Sequence, residues 1–278
     1  MINEADRKFF AEEGYLLIKG FYDFDADILP ILRDIHRIIG LVAERHGIAL
    51  SRRHFTPDAF DEGYATLLST NRRLAGEVYD LVKQIPSFLR LISHPKAEAL
   101  FRDIRGTDHA GIGAASYGIR IDNPNEEKFR SHWHQEFVFQ PQSIDGVVFW
   151  TPLLPIKPEL GPVVVLPRSN RDGLCTYVRG TTYADKVGAY QIGIHDEESV
   201  VARYDHVAPL TDPADLLIMD FLTIHGSGYN VSDRSRWSVQ SRFFNFSDPI
   251  GMKVGWRASI TAGTEVEAIF PENFVSAQ

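Results

Sequence analysis

Two histidines and one glutamate have the residue types and the spacing needed to bind a transition metal. His134 and Glu136 stand close together in the aromatic run HWHQEFVF, which is typical of a strand. Residues i and i+2 of a strand point to the same face, so one such segment can supply two adjacent ligands. His195 and Glu197 form a second pair of this kind, but their setting, GIHDEES, is polar and typical of an exposed turn. We therefore expect His134 and Glu136 to be the functional pair.

The third ligand is expected on a later strand. His225 follows the apolar run DLLIMDFLTI and precedes the small residues GSG. Two histidines and one carboxylate leave three metal positions open, which is the arrangement of non-haem Fe(II) oxygenases. The same ligands can hold a catalytic zinc ion, whose bound water is the nucleophile of a hydrolase. The ligands alone leave both kinds of chemistry open.

An arginine downstream of His225 could hold a dicarboxylate co-substrate. Arg236 begins the strand-like run RWSVQSR, and the planar fork of arginine pairs bidentately with a carboxylate. Ser238 lies on the same face and could add a hydroxyl. The alternative is that this face, with Gln240 and Arg242, is an ordinary solvent-facing surface. The strand pattern alone does not decide between these two interpretations.

Three segments together resemble the phytanoyl-CoA dioxygenase family. The run HGSGYNVSDRSR, from His225 to Arg236, resembles that family's H-x-S-x-x-N-x-S-x-x-x-R segment. HWHQEF resembles its H-x-D metal motif, and FWTPLLPIKPELGPVVVLPRSNRDG resembles its middle segment. The resemblance covers residues 115 to 246. It implies Fe(II), 2-oxoglutarate and dioxygen as cofactor and co-substrates, with the iron bound by His134, Glu136 and His225.

The resemblance also implies roles around the co-substrate. It places Arg236 on the C5 carboxylate of 2-oxoglutarate, Trp150 and Gln135 along the co-substrate pocket, and Arg120 near that pocket. The chain departs from the family pattern where Glu136 replaces the usual Asp and where PRSN replaces PGSH. A Gly or Ala in place of Glu136 would have indicated a halogenase. The glutamate also leaves open a catalytically silent jelly-roll protein that binds or senses a ligand.

Residues that contact the prime substrate are harder to identify. The aromatic side chains of Phe137, Phe139 and Tyr229 lie near the expected mouth of the site, although strand aromatics are commonly core residues. Arg242 could pair with an anionic group of the substrate. By resemblance to the family, we expect hydroxylation, desaturation or cyclisation at an unactivated C–H bond of a small metabolite in a biosynthetic pathway. Succinate and CO2 would be released.

The elements that must position these residues change character along the chain. Helical patterns run from Asn3 to Gly14, Asp25 to His46, Arg72 to Gln84 and Ser87 to Phe101, with a strand at residues 15–18. After about Gly111, short β-rich runs alternate with turn residues, which is typical of an antiparallel sandwich or barrel. We predict a mainly β fold, a double-stranded β-helix (jelly roll, cupin-like) core packed with α-helices. The expected single domain, 1–278, comprises a helical support region 1–110, a catalytic core 111–250 and a C-terminal extension 251–278.

Composition restricts the partners and the location. The net charge is −8 and no dense Lys/Arg stripe occurs, which disfavours nucleic acid or an acidic membrane as a partner. Cys175 is the only cysteine, so an internal disulfide is impossible. The first residues lack the apolar core of a signal peptide, and no apolar run is long enough to cross a bilayer. We expect a cytoplasmic enzyme acting on a small molecule, and the sequence gives no indication of its oligomeric state.

Overall fold

The computed structural model describes residues 2–114, 116–179, 192–256 and 266–275. The chain begins with helix α1 (Glu4–Glu13), which the side chain of Asn3 caps by accepting a hydrogen bond from the Asp6 amide. The Asp6 side chain accepts from the Asn3 amide in return, forming a capping box. The helix ends at Gly14, whose φ of 76° suits glycine, and strand β1 (Tyr15–Ile18) follows directly.

Most of the N-terminal third is helical, as the apolar periodicity predicts. After a π-helical turn (Phe24–Ile28), the helices are α2 (Leu29–Arg45), α3 (Tyr64–Thr70), α4 (Arg72–Leu81), α5 (Pro86–Ile92) and α6 (Pro95–Arg105). The predicted single helix from Ser87 to Phe101 is wrong, because α5 and α6 are separate. His94 precedes Pro95 and is extended, with φ −64° and ψ 126°. A residue before proline is pushed out of the helical region, so the helix must break there.

The remaining described elements are mostly short strands. In chain order they are β2 (Ala110–Ile112), β3 (Gly118–Asp122), β4 (Gly146–Pro152), β5 (Val163–Val165), β6 (Tyr177–Arg179), β7 (Ile192–Ile194), α7 (Glu197–Val201), β8 (Leu216–Asp220), β9 (His225–Ser227), β10 (Arg236–Asn245), α8 (Pro249–Val254), α9 (Val266–Ile269) and β11 (Phe274–Val275). The run HWHQEFVF is not a strand, contrary to expectation. It makes one bridge to β9 at His134 and then turns into a 3₁₀ segment, Glu136–Val138.

The large sheet has the strand order β1-β8-β4-β10-β2, with β3 also paired to β10. All of these pairs are antiparallel. Two smaller groups of strands, β5-β9 and β11-β6-β7, are separate from the large sheet. The predicted jelly-roll core with packed helices is thus confirmed, and the β-branched and aromatic runs form the strands because they suit a pleated, buried surface.

The two faces of β10 settle the question left open by its alternating pattern. Trp237 packs edge-on against Phe60 and Tyr64 from the helical region, with ring centroids 5.7 and 4.9 Å apart. The alternate residues Arg236 and Ser238 are 1% and 0% exposed. The polar face therefore points into the protein, and the solvent-facing interpretation is wrong.

The predicted division of the domain stays a prediction. The segment assigned to helical support contributes β1, which pairs with β8 inside the large sheet. The C-terminal extension contributes α8, α9 and β11 within the described residues. Among the parts of the chain that are described, no helix combines the length and apolarity needed to cross a membrane.

Candidate metal centre and adjoining pockets

His134, Glu136 and His225 come together in three dimensions. One ligand atom from each lies within 4.8 Å of the others. The Nε2 atoms of both histidines are 3.7 Å from the same carboxylate oxygen, Oε2 of Glu136. These separations leave room for one ion between the three atoms.

The backbone brings the ligands together by a bridge and a turn. The amide of His134 donates to the carbonyl of His225, and the amide of His225 donates to the carbonyl of His134, both at 3.0 Å. The two histidines are therefore directly opposite one another. Gln135 is extended, and Glu136 then opens the 3₁₀ segment. The carboxylate reaches the histidines through this turn and not through the pleat of a strand.

Backbone carbonyls fix the orientation of both imidazole rings. Nδ1 of His134 lies 2.8 Å from the carbonyl of His132, and Nδ1 of His225 lies 2.9 Å from that of Thr223. A carbonyl only accepts, so each Nδ1 carries the proton and each Nε2 keeps its lone pair for a metal. Burial and the neighbouring His134 lower the pKa of His225 to about 3, so its ring is neutral at pH 7.

The carboxylate of Glu136 completes a donor set that suits Fe(II). Burial by itself acts to raise the pKa of Glu136, but the charge of Arg242 opposes burial most strongly, and the pKa is held far below its usual range. The site thus offers two neutral imidazole nitrogens and one carboxylate oxygen on one side of a shared centre. These residues fit a mononuclear non-haem iron.

A second cluster of buried polar groups lies on the inner face of β10. Nη2 of Arg236 donates to Oδ2 of Asp122 at 2.8 Å and to Oγ of Ser227 at 2.9 Å. Nε and Nη1 of Arg236, Oγ of Ser238 and Nε1 of Trp150 have no hydrogen-bond partner within the described residues. Leaving buried donors unpaired costs about 1–3 kcal/mol each. The cluster therefore fits an acceptor-rich ligand such as a carboxylate.

Asp122 joins the two arginines of this region. It lies opposite Arg236 in the β3–β10 register and also pairs with Arg120, whose Nη2 is 2.8 Å from Oδ1. Burial acts to raise the pKa of Asp122, but both arginines outweigh it and lower the pKa to about 2. Arg120 and Trp150 line a small inner cavity that also touches His225 and Ser227. The cavity thus brings both residues close to a candidate metal ligand, and their contact with a co-substrate stays a prediction.

A larger cavity opens from the metal ligands. Its volume is about 280 Å³, and it touches His134 and Glu136. Its lining includes Arg120, Phe139, Gln140, Gln240 and Arg242. The lining also includes Tyr79 and Tyr117. Three aromatic rings, two amides and two arginines together suit a polar organic molecule.

Gln135 does not line the co-substrate pocket, so that prediction is wrong. Its Nε2 donates to the carbonyls of Gly173 and Leu222 at 2.8 and 2.7 Å. Its Oε1 accepts from the Cys175 amide and the Tyr177 hydroxyl at 2.8 and 2.9 Å. Because the backbone is extended here, the side chain between two ligands points away from them. Gln135 instead fastens the metal-binding segment to β6.

The three candidate aromatic residues have different surroundings. Phe137 is fully buried and packs on Phe270, with ring centroids 5.7 Å apart, so it is a core residue. Tyr229 is 40% exposed and lines neither the inner nor the outer cavity. Only Phe139 lines the outer cavity, with its ring 5.7 Å from that of His134. Residue type could not separate these cases, because each depends on where a turn directs the side chain.

Arg242 is not free to receive a substrate anion. Its Nε donates to Oε1 of Glu136 at 3.0 Å, and its Nη2 donates to Oε1 of Gln240 at 3.0 Å. The charge predicted to meet a substrate is thus paired with a candidate metal ligand. The sequence indicates Arg236 and Arg242 as candidate anion-binding residues because of their charge. Their partners in the structure, Asp122 and Glu136, come from distant segments of the chain.

Sequence reasoning missed Ser227 and Asp122. Ser227 belongs to the H-x-S motif and shares a face with His225, so alternation could have identified it. Asp122 stands two positions after Arg120 on β3, where the same argument applies. The motif residue Asn230 has a structural role, because its Nδ2 donates to the carbonyls of Asp122 and Arg234 at 2.9 Å and holds the turn between β9 and β10.

Comparisons with known proteins agree with this fold. Residues 10–238 match the family described as "Phytanoyl-CoA dioxygenase (PhyH)". A search of curated protein sequences finds no match. Among solved structures, the non-haem alpha-ketoglutarate-dependent epimerase SnoN from nogalamycin biosynthesis is similar, at 14% identity and a TM-score of 0.55, covering 90% of this chain and 87% of that chain.

Two further structures show the same architecture. EctD from S. alaskensis, with 2-oxoglutarate and 5-hydroxyectoine, has 17% identity and a TM-score of 0.58, covering 89% of this chain and 77% of that chain. The non-haem alpha-ketoglutarate-dependent carbocyclase SnoK from nogalamycin biosynthesis has 15% identity and a TM-score of 0.55, covering 88% of this chain and 84% of that chain. At these identities the likeness shows the fold.

Proposed function

The chain belongs to the phytanoyl-CoA dioxygenase family, and on this basis we propose that His134, Glu136 and His225 hold Fe(II) while Arg236 holds the distal carboxylate of 2-oxoglutarate. Membership makes the chain an Fe(II)- and 2-oxoglutarate-dependent dioxygenase, with iron, 2-oxoglutarate and dioxygen as cofactor and co-substrates. The observation that carries the residue assignment is the convergence of three ligand atoms within 4.8 Å.

The spacing of the anchor supports its role. His225 and Ser227 alternate on β9, so they point to the same side and their Cα atoms lie about 7 Å apart. Ser227 accepts a hydrogen bond from Arg236, which places the guanidinium next to it. The guanidinium of Arg236 therefore lies at a distance from the metal ligands that a short dicarboxylate can span. Nε and Nη1 of Arg236 and Oγ of Ser238, which have no hydrogen-bond partner in the described part of the chain, are available as donors for that carboxylate.

The outer cavity supports a small polar substrate. The Nη2 of Arg242 can only donate, so the Gln240 atom facing it must be the amide oxygen. The NH₂ group of Gln240 therefore points elsewhere, and Gln240 lines both cavities. A volume of about 280 Å³ suits a metabolite rather than a larger ligand. We propose a substrate with hydrogen-bond acceptors next to the carbon that reacts.

The protein contributes to the reaction by orienting the bound molecules and by limiting the access of water to them. When bound, iron, 2-oxoglutarate and dioxygen supply the oxidant for an unactivated C–H bond, with release of succinate and CO2. The ligands Glu136 and His225 are buried, and Phe139 forms part of the wall of the outer cavity. A buried position of this kind limits the access of bulk water to the metal. Hydroxylation, desaturation or cyclisation then depends on which carbon the outer cavity presents.

The two alternative functions, a zinc hydrolase and a catalytically silent binding protein, explain fewer features of the site. A zinc hydrolase at the same ligands would give no role to the buried donors of Arg236 and Ser238. A catalytically silent binding protein is supported only by the replacement of Asp with Glu136. A small-molecule substrate, the absence of nucleic-acid and membrane partners, and a cytoplasmic location remain predictions from the sequence.

The first test is the visible spectrum of the purified protein after anaerobic addition of Fe(II) and then 2-oxoglutarate. Chelation of iron by 2-oxoglutarate should give a broad charge-transfer band. We expect the band to be lost in His225→Ala and to require about 10- to 100-fold more 2-oxoglutarate in Arg236→Ala, because one charged hydrogen-bonding group is removed.

The matched control is Arg90→Ala, which removes an exposed arginine of α5. Its titration should coincide with that of the wild type. A wild-type protein that binds iron but develops no band with 2-oxoglutarate would contradict the residue assignment. A normal titration in Arg236→Ala would contradict the anchor alone.

A further inference from the structure

We propose that Arg242 is a positioning residue for Glu136, holding one carboxylate oxygen so that only the other faces the metal. The inference rests on the proposed function, because it concerns the same metal site. It also accounts for a glutamate at a position where the family pattern has an aspartate.

The two oxygens of Glu136 have different partners. Oε1 accepts from Nε of Arg242 at 3.0 Å, whereas Oε2 is the atom that lies 3.7 Å from Nε2 of both His134 and His225. Nη2 of Arg242 also donates to Oε2, but at the longer distance of 3.4 Å. The shorter hydrogen bond of the guanidinium is therefore to Oε1, whereas both histidines lie beside Oε2.

Arg242 is itself held in place. Its Nη2 donates to Oε1 of Gln240 at 3.0 Å, and its Nη1 donates to the carbonyl of Ser116 at 3.4 Å. The backbone carbonyl of Arg242 accepts from the Gly113 amide at 2.8 Å. The side chains of Arg242 and Glu136 are 17% and 4% exposed. A planar guanidinium fixed on several sides can hold a carboxylate in one orientation.

The chemical need for this contact follows from the length of glutamate. Its extra methylene gives it one more rotatable bond than aspartate, so an unrestrained Glu136 could turn both oxygens toward the metal. That would occupy one of the three open positions, which a chelating 2-oxo acid and dioxygen require together. With Oε1 held by Arg242, Glu136 contributes Oε2 alone and the third position stays open.

The test uses Co(II) as the probe, with affinity from calorimetry and coordination from the visible absorption spectrum. Arg242→Gln should weaken Co(II) binding about tenfold or more, as is usual when the group that orients a ligand is removed. It should also change the intensity of the visible bands, because a released Oε1 changes the coordination number. Neither readout depends on turnover.

The matched control is Arg105→Gln. Arg105 is 15% exposed and donates to the buried carboxylate of Asp220 at 2.6 Å, away from the metal ligands. Both variants remove a mostly buried guanidinium from an ion pair, and both should lower the Tm. Only Arg242→Gln should alter the Co(II) affinity and spectrum. An equal loss of Co(II) affinity in Arg105→Gln would overturn the inference, because general destabilisation would then explain it.

A double-mutant cycle with Glu136→Asp distinguishes positioning from a simple effect of charge. An aspartate is one methylene too short to reach the histidines and Arg242 together. In the Glu136→Asp background, Arg242→Gln should therefore change Co(II) affinity by less than about threefold. The same loss in both backgrounds would overturn the inference, and so would Co(II) binding to Arg242→Gln that equals or exceeds the wild type.

Failure of the inference is distinguishable from failure of the metal site. If the wild type binds no Co(II), the proposed ligands are wrong and the role of Arg242 falls with them. If the wild type binds Co(II), His225→Ala does not, and Arg242→Gln binds normally, the ligands stand and only the role of Arg242 is overturned.

Discussion

Strand β10 has two faces that differ in chemistry although both are shielded from solvent. The outer face carries Trp237, Val239 and Phe243 and packs against the helical region. The inner face carries Arg236, Ser238, Gln240 and Arg242 and looks toward the metal ligands. One strand serves both purposes because successive side chains point to opposite sides.

The two faces differ in how they contribute to the free energy of folding. The outer face gains from the removal of apolar surface from water, at about 25 cal/mol per Å². The inner face places charges and donors in a buried setting, which is costly unless they are paired. Its pairing partners, Asp122 and Glu136, come from other segments of the chain. We therefore expect outer-face substitutions to affect stability without changing ligand affinity. Inner-face substitutions should affect binding, and also stability where they break an ion pair.

The largest effect is expected from Phe243→Ala on the outer face. Phe243 is 1% exposed and contacts the rings of Phe101 and Phe149, with centroids 5.8 and 5.0 Å apart. Truncation should lower the free energy of unfolding by about 3–5 kcal/mol, measured in urea. Phe9→Ala, at an exposed phenylalanine, should cost less than about 1 kcal/mol. If folded Phe243→Ala bound 2-oxoglutarate much more weakly than the wild type, the expectation that the outer face affects stability and not binding would be wrong.

A smaller effect, which depends on pH, is expected from Asp122→Asn. Burial acts to raise the pKa of Asp122, but Arg120 and Arg236 outweigh it and lower the pKa from 3.8 to about 2. Because the folded-state pKa is the lower one, ionised Asp122 stabilises the protein above about pH 4, and this stability is lost as the pH falls toward 2. The full contribution is about 2 kcal/mol.

Urea unfolding at pH 6 and pH 3 measures this contribution. Roughly half of it should be lost at pH 3, so the wild type should lose about 1 kcal/mol more than Asp122→Asn over that interval. All other titrating groups are present in both proteins, so their contributions cancel when the two losses are compared. Equal losses in the two proteins would mean that Asp122 is not stabilised by the two arginines.

The smallest effect compares two serines on opposite faces of the same strand. Oγ of Ser238 has no partner within the described residues, so Ser238→Ala should leave the free energy of unfolding unchanged or slightly higher. It should weaken 2-oxoglutarate binding about fivefold, because one hydrogen bond to the carboxylate is lost. Ser241→Ala, which removes a buried serine from the outer face, should leave that affinity unchanged. Equal affinities in both variants would remove Ser238 from the anchor.

The local features of the molecule follow from the order of residues along the chain. The capping residue Asn3, the periodic apolar residues of α2 and the alternation along β10 each depend on neighbours within a few positions. The residue types needed for iron were also readable, since His134 and His225 stand in recognisable settings. These features are local, because capping, helix periodicity and pleating depend on backbone geometry over one or two turns.

The partners of the charged groups, by contrast, depend on how distant segments pack. Arg242 and Glu136 are separated by 106 positions, and Arg236 and Asp122 by 114. Their pairing depends on the β3–β10 register and on a 3₁₀ turn that no local pattern predicted. The extended backbone of Gln135, just before this turn, directs its side chain away from the ligands. Sheet register and turn direction are set by packing between distant segments, and that is why residue type alone could not assign these roles.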